Sequence, residues 1–370
     1  MKIGGMTFIN TANYGTCLQA YALQTAVEKL GGYDYSIINY MGEKDRRTKS
    51  LIKKTVGQST KHYFVQKIIG MPLRIYRNII FQSFTKHNCK YTKECRSMRD
   101  LKALNNEYDV FMCGSDVVWR NATNYSDPAY YLCFSDKPRI SYAASLGQGQ
   151  ISLNDEKIYE KHIPDFDYIS VRETHSRQII SKYTNKPIAI TLDPVLLLNK
   201  SEWERVAKQK SHKKPYILVY IAFVSPIVDV FAKQLQRQTG YRIIRVSAYM
   251  KDMLTHSCKM PSPQKWLSLM RDASYVITNS FHGTAFSLIY QRNFFTVVQG
   301  TKLDGINVRM FDLLERVDLV DRIYGTVPEE IDLSTPNFGG SNDLLADEIQ
   351  NSMNYISNAL AEVKKDMAER

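Results

Sequence analysis

No apolar run in the 370 residues approaches the ~20 consecutive apolar residues that a membrane-crossing helix needs. The opening residues MKIGGMTFIN lack the basic head and apolar stretch of a secretory signal, and they read as a first core strand. Cysteine is sparse and scattered, at positions 17, 89, 95, 113, 133 and 258, with no two pairs at zinc-site spacing. The expectation is a reduced, cytoplasmic protein with no metal site. The GxGxxG fingerprint is missing, so no dinucleotide cofactor is inferred. No repeat of solenoid period and no nucleic-acid-binding motif is found.

Acidic residues are scarce in one place only. From Met41 to Lys102 sixteen Lys or Arg stand against Glu43, Asp45, Glu94 and Asp100, which accounts for the whole net charge of +12. Elsewhere 33 basic residues balance 33 acidic ones. The basic segment interleaves its charge with apolar groups such as Tyr63, Phe64, Ile68, Ile75, Ile79, Phe81 and Phe84. It predicts a helical insertion over about 42–102, with amphipathic helices from Lys61 to Phe84 broken at Met71-Pro72. Such an insertion either packs its apolar face and solvates its charge, or holds the protein at an anionic membrane surface.

The remaining composition, 44% hydrophobic and 23% charged, is that of a globular protein long enough for two domains. Lys2–Ile9 reads as a strand, Asn13-Tyr14-Gly15 as part of a loop, Thr16–Leu30 as a helix stopped by Gly31-Gly32, and Ser36–Tyr40 as a strand. Glu107–Cys113, Arg139–Gly147, Asp167–Val171 and Ile188–Leu192 read as further strands. Their carboxyl ends carry Gly114-Ser115-Asp116, small residues, Arg172-Glu173 and Asp193-Pro194. Asp116 there suits a general base or a helix N-cap, and Trp119 suits a sugar-stacking ring or core filler. After a boundary near Leu198–Lys214, with SHKKP as an exposed linker, the alternation resumes. Strands at Tyr216–Ala222 and Tyr241–Ser247 flank a helix at Pro226–Gln238, and Ser262 caps a helix through Leu269.

The stretch Asp272–Val298 is the most informative. Tyr275–Thr278 is strand-like, Asn279–Thr284 a polar turn, Ala285–Tyr290 a short helix and Phe294–Val298 a second strand. A parallel sheet delivers such a turn to the edge where ligands bind, and the helix N-terminus favours a phosphate or carboxylate. His282 beside that anion position is a candidate proton-transfer group. The fold class expected is α/β, with two Rossmann-like αβα domains facing a cleft and a closing C-terminal helix. Domain bounds of 1–200, 201–338 and 339–370 follow from the pattern.

Six segments, in this order, resemble the polysaccharide pyruvyl transferase family: NYGTCLQAYALQ (13–24), GSDVVW (114–119), SYAASLG (141–147), SVRE (170–173), DPVLLL (193–198) and WLSLMRDASYVITNSFHGTAFSLIY (266–290). The resemblance implies a fold like type-B glycosyltransferases and transfer of a pyruvyl unit from phosphoenolpyruvate to sugar hydroxyls. The product implied is a pyruvate ketal on a surface or capsular polysaccharide precursor, with a lipid-linked acceptor, no cofactor, and phosphoenolpyruvate as co-substrate. It places His282 and Asp116 in catalysis. Arg172, Arg309, Asn279, Ser280, Gly283, Thr284 and Lys302 would hold the donor, with Arg292 a weaker candidate. Asn13, Tyr14, Gly15, Ser115 and Trp119 would face the acceptor. Where some branches of the family have Arg-Leu-His, this chain has Ser280-Phe281-His282, so Arg309 or Lys302 must supply the missing cation. Two other readings stay open at the level of sequence: a type-B glycosyltransferase using a nucleotide sugar, and a non-catalytic saccharide-binding relative.

Overall fold

The computed structural model describes residues 1–9, 11–42, 71–120, 127–208, 214–247 and 258–369. The expected helix over 61–70 and most of the SHKKP linker lie outside the described residues.

In chain order the elements are β1 (Lys2–Met6), α1 (Tyr14–Lys29), β2 (Asp34–Ile37), α2 (Met71–Asn88), α3 (Met98–Ala103), β3 (Val110–Cys113) and β4 (Arg139–Ser141). Then come α4 (Leu153–His162), β5 (Ile169–Val171), α5 (Thr174–Ile180), β6 (Ile188–Ile190) and α6 (Lys200–Val206). The second half has β7 (Tyr216–Ile221), α7 (Pro226–Thr239), β8 (Arg242–Ser247), β9 (Cys258–Lys259), α8 (Pro263–Asp272) and β10 (Tyr275–Thr278). It closes with α9 (Phe281–Ile289), β11 (Asn293–Val297), α10 (Asn307–Arg316), β12 (Ile323–Tyr324) and α11 (Phe338–Ala368).

Among the described residues every strand pairing is parallel. The first sheet runs β2-β1-β3-β4 and is continued toward the β5-β6 pair by bridges from Ile140 to Tyr168 and Ala144 to Val171. Its order reverses between β1 and β3. The second sheet runs β12-β11-β10-β7-β8-β9, the doubly wound order with its reversal between β7 and β10. Ligands bind such sheets outside the carboxyl ends of the strands at the reversal. In this chain the loops leaving β1 and β3 face the one leaving β10. The result is two Rossmann-like layers about a cleft.

Local chemistry sets the element ends. Asn13 Oδ1 accepts from Thr16 N at 3.4 Å, which starts α1 at Tyr14, two residues before the expected start. Gly31 and Gly32, both at φ +76, let the chain leave it. The strand expected over 139–147 stops at Ser141, because Ala143 turns into the left-handed region at φ 49. α9 begins at Phe281 and not at Ala285, so His282, Gly283 and Thr284 form its first turn.

One hydrophobic cluster crosses the seam between the halves. Tyr14 of α1 stacks on Trp266 of α8 with ring centroids 5.1 Å apart, and lies 4.8 Å from Phe81 of α2. The Tyr14 hydroxyl donates to the Pro261 carbonyl at 2.7 Å. α11 returns from the second half to bury Ile356, Leu360 and Val363 against the first. Ser352 Oγ accepts from Leu192 N at 2.9 Å, and Tyr355 donates to the Ser141 carbonyl at 2.9 Å.

α9 packs tightly over β10 because position 283 has no side chain. A Cβ there would lie 2.2 Å from Thr278 Oγ1. Gly283→Ala therefore lowers stability by about 1–3 kcal/mol, read from urea unfolding, although alanine favours the helix itself. A variant as stable as the wild type contradicts this packing.

Candidate functional site: a buried arginine and histidine cluster at the facing sheet edges

The site is built on Asp193, in the turn after β6. Asp193 Oδ2 accepts from Arg172 Nη1 at 2.6 Å and from Ser115 Oγ at 3.2 Å, and lies 3.5 Å from His282 Nε2. Its Oδ1 accepts from Val195 N at 3.1 Å. Burial alone would raise this carboxyl. His282 and then Arg172 more than offset that and hold it well below the usual carboxylate range. A residue of the first half thus clamps the catalytic-candidate histidine of the second.

Arg172 ends β5 and is buried. Its Nε donates to Glu173 Oε1 at 2.9 Å, and Glu173 in turn accepts from Ser145 and Ser176, each at 2.7 Å. Burial works against the guanidinium charge, but Glu173, Asp193 and Asp116 raise its pKa above the ordinary value. Nη2 of Arg172 has no hydrogen-bond partner. The guanidinium lies 4.5 Å from the centre of the Phe281 ring, and that of Arg309 lies 5.9 Å from the same ring.

Arg309, in the first turn of α10, is 8% exposed and forms no ion pair among the described residues. Its Nε has no hydrogen-bond partner. Burial, reinforced by the charge of Arg172, pushes it down to about 10. Nε of Arg120 is also buried without a partner, and this charge adds to the positive field at Arg309. His282 Nε2 is buried and faces only Asp193 Oδ2, at 3.5 Å. Buried guanidiniums with unfilled donors favour an anion, which would supply both countercharge and acceptor atoms.

The remaining expected site residues divide clearly. Gly15 lies against His282, since a Cβ on it would be 1.9 Å from His282 Nδ1. Asp116 takes the left-handed region at φ 78, and its Oδ2 accepts from Thr16 Oγ1 at 2.7 Å while Oδ1 accepts from Val117 N at 2.9 Å. Ser115 contacts Asp193 as described. Asn13 caps α1. These belong to the cluster or to the loops around it.

Other residues have structural duties. Tyr14 is spent in the aromatic seam. Trp119 is fully buried, stacked on Tyr131 and donating to the Tyr130 carbonyl at 3.3 Å, so it offers no face to a sugar. Asn279 ties the ends of β10 and β7 by accepting from Ala222 N and donating to the Phe223 carbonyl, both at 2.8 Å. Thr284 bonds Thr296 at 2.8 Å, Gly283 accommodates Thr278, and Ser280 caps α9 without a side-chain hydrogen bond to it. Lys302 is exposed and paired with Glu315 at 2.6 Å, so it is committed elsewhere. Arg292 donates to the Tyr290 carbonyl at 2.9 Å, closing the turn after α9. Sequence reasoning assigned no role to Asp193, Arg120 or Phe281. The one available signal was the polar Asp-Pro turn at a strand's carboxyl end.

A two-layer α/β enzyme-like scaffold of the type-B glycosyltransferase kind, with an anion-seeking cluster at its facing sheet edges, is therefore the class that fold and site define. The chain belongs to the polysaccharide pyruvyl transferase family, whose profile matches residues 13–299. Among solved structures it is similar to a Listeria monocytogenes protein described as a UDP-N-acetylglucosamine 2-epimerase, at 10% identity and TM-score 0.52, covering 100% of this chain and 97% of that one. It is also similar to UDP-N-acetylglucosamine 2-epimerase from Rickettsia bellii, at 11% identity and TM-score 0.50, covering 97% of each chain. These likenesses concern the fold. No curated protein matches the sequence.

Two outcomes follow from the charge arrangement. Arg309→Met removes a buried charge that lacks a partner, so without ligand it unfolds at higher urea, by about 1 kcal/mol, while losing the thermal stabilisation that phosphate or phosphoenolpyruvate gives the wild type. Equal or lower stability of the variant contradicts an uncompensated guanidinium. Asp193→Asn strips the countercharge from Arg172 and costs about 3 kcal/mol at neutral pH. Because the folded carboxyl lies below its unfolded value of ~3.9, its contribution is present above pH ~4 and fades as pH falls through the folded value. The difference between wild type and Asp193→Asn must shrink on acidification below pH ~4; a constant gap contradicts the assignment.

Proposed function

We propose that the protein transfers the pyruvyl group of phosphoenolpyruvate to two hydroxyls of a saccharide, forming a pyruvate ketal on a surface or capsular polysaccharide precursor carried on lipid. The observation that carries this reading is the buried guanidinium of Arg309, which forms no ion pair among the described residues and lies against the same Phe281 ring as Arg172, whose Nη2 is unfilled. Phosphoenolpyruvate presents a phosphate and a carboxylate, two anionic groups that a pair of guanidiniums can hold by charge-assisted hydrogen bonds. Family membership supports the transfer of a pyruvyl group.

In this reading His282 gives a proton to the methylene carbon, which becomes the methyl group. Positive charge develops at the adjacent carbon, and the first sugar hydroxyl adds there while Asp116 accepts its proton. The bond from that carbon to the phosphate oxygen breaks, phosphate leaves with the bonding pair, and the Asp116 proton departs with it. The second hydroxyl adds to the same carbon and returns a proton to His282. Arg172 and Arg309 neutralise the leaving phosphate. Asp193 fixes the imidazole from one side, and the Gly15 backbone confines it from the other. Asp193 is a positioning residue here.

The test is phosphate release from phosphoenolpyruvate in the presence of saccharide diols, together with the appearance of a ketal methyl resonance by NMR. Wild type is expected to release phosphate in an acceptor-dependent manner, and His282→Ala and Arg172→Ala to fall by about 100-fold or more while folded. Gly15→Ala drives a methyl group into the buried imidazole, so it loses about 100-fold in rate and, the overlap outweighing the gain in helix propensity, also lowers stability by about 1–3 kcal/mol. Full activity in the His282 and Arg172 variants removes the assignment. Thermal stabilisation by nucleotide sugars and not by phosphoenolpyruvate transfers it to a nucleotide-sugar enzyme.

A further inference from the structure

Helix α2 shows a surface that the cluster chemistry does not use. Its inner face is spent on the protein: Phe81 and Phe84 are buried, and Arg77 donates to the Ala12 carbonyl. Its outer face is also apolar. Met71, Ile75, Tyr76 and Ile79 are 37%, 53%, 53% and 58% exposed, and their i, i+4, i+5, i+8 spacing puts them on one side. Eleven large hydrophobic side chains are exposed among the described residues, and four of them lie on these nine residues; the other seven are scattered. A helix apolar on both faces is either enclosed or set into an apolar phase.

Charge decides what that phase is. α2 contains no Asp or Glu, and Arg74 and Lys86 on it are exposed. From 71 to 102 there are eight Lys or Arg against Glu94 and Asp100; Lys90 is paired with Glu28 and Asp34 and Arg96 with Glu94, whereas Arg74 and Lys86 on α2 form no ion pair among the described residues. Apolar side chains flanked by unopposed basic groups match a bilayer interface rich in anionic lipid. An apolar protein patch with a neutral rim would not need that excess. Among the described residues no helix is long and apolar enough to span a membrane, so α2 would lie on the surface and not cross it.

Location gives the surface a purpose. Phe81 packs 4.8 Å from Tyr14, whose neighbour Gly15 bounds His282, and Arg77 holds the loop just before Asn13. We infer that the outer face of α2, centred on Met71, Ile75, Tyr76 and Ile79, docks the protein on an anionic phospholipid bilayer and thereby brings the loops around His282 to a lipid-carried saccharide. The use of that docking rests on the reaction proposed above; the docking itself does not.

The experiment is co-sedimentation of the full chain with vesicles of phosphatidylglycerol and phosphatidylcholine, against vesicles of phosphatidylcholine alone, at low and high salt. Binding is expected only to the anionic vesicles and weakens at high salt. Ile75→Glu with Ile79→Glu reduces the bound fraction at least tenfold, and Arg74→Glu with Lys86→Glu gives a smaller loss that is greatest at low salt. Both double variants keep the thermal midpoint of the wild type and its phosphate release with a water-soluble acceptor. Absence of binding by wild type, equal binding by the Ile75 and Ile79 variant, or a wild-type dimer that this variant dissociates each overturns the inference, the last by giving the face to a second copy of the chain. Vesicle binding without any turnover on phosphoenolpyruvate leaves the surface standing and removes the reaction.

Discussion

The contact on which this site depends is the ion pair between Arg172 and Asp193. It joins the end of β5 to the turn after β6, and the same carboxylate oxygen reaches Ser115 after β3 and His282 on α9. Four separate pieces of chain are therefore referred to one oxygen atom. A buried carboxylate is costly unless its charge is met, and here the groups that meet it are the candidate site residues themselves. The stability of the fold and the geometry of the site are consequently hard to separate at this residue. They separate at Arg309, which forms no ion pair among the described residues and is retained against its own desolvation.

The seam between the halves explains how such geometry is held. Two sheets of independent winding present their reversal points to each other, and each supplies loops that alone would be poorly fixed. Tyr14, Phe81, Trp266 and Tyr220 fill the space beside those loops with aromatic surface from both halves. α11 then crosses back to the first half, where its Ser352 and Tyr355 bond backbone groups beside the turn carrying Asp193 and the end of β4. His282 lies between the Gly15 backbone and the Asp193 carboxylate. Positioning to within a fraction of an ångström is what proton transfer requires.

The alternating pattern of buried strands and amphipathic helices was legible in the sequence, because parallel strands covered on both faces read as continuous apolar runs such as Tyr216–Ile221. Helices α4 and α5 were less so: half of α4 is charged and it is marked chiefly by the Ser152 and Asp155 capping box, and α5 is only seven residues long. Among candidate site residues, the titratable or charged groups at strand ends, His282 and Arg172, stood out. Trp119, Tyr14 and Asn279 did not sort correctly, since an aromatic or amide group in a motif looks the same whether it meets a ligand or its own backbone. Asp193 was visible as a polar strand end but its role was not, because that role depends on partners 21, 78 and 89 positions away, at residues 172, 115 and 282. Such a role exists only once the chain is folded.

Ser280-Phe281-His282 bears on how the cluster can tolerate a missing arginine. A guanidinium at position 280 would project from the N-cap of α9, at its positive end. In this chain that place has a small hydroxyl, and the next residue, Phe281, offers a ring face to the guanidiniums of both Arg172 and Arg309. The ring gives each cation a weakly attractive wall without consuming a hydrogen-bond donor. Donors on both arginines thus stay unsatisfied, Nη2 on one and Nε on the other, which a carboxylate at the same place would have prevented. Positive charge in this cluster thus comes from two residues of distant origin, and Phe281 is the ring that both guanidiniums lie against with donors to spare for an anion.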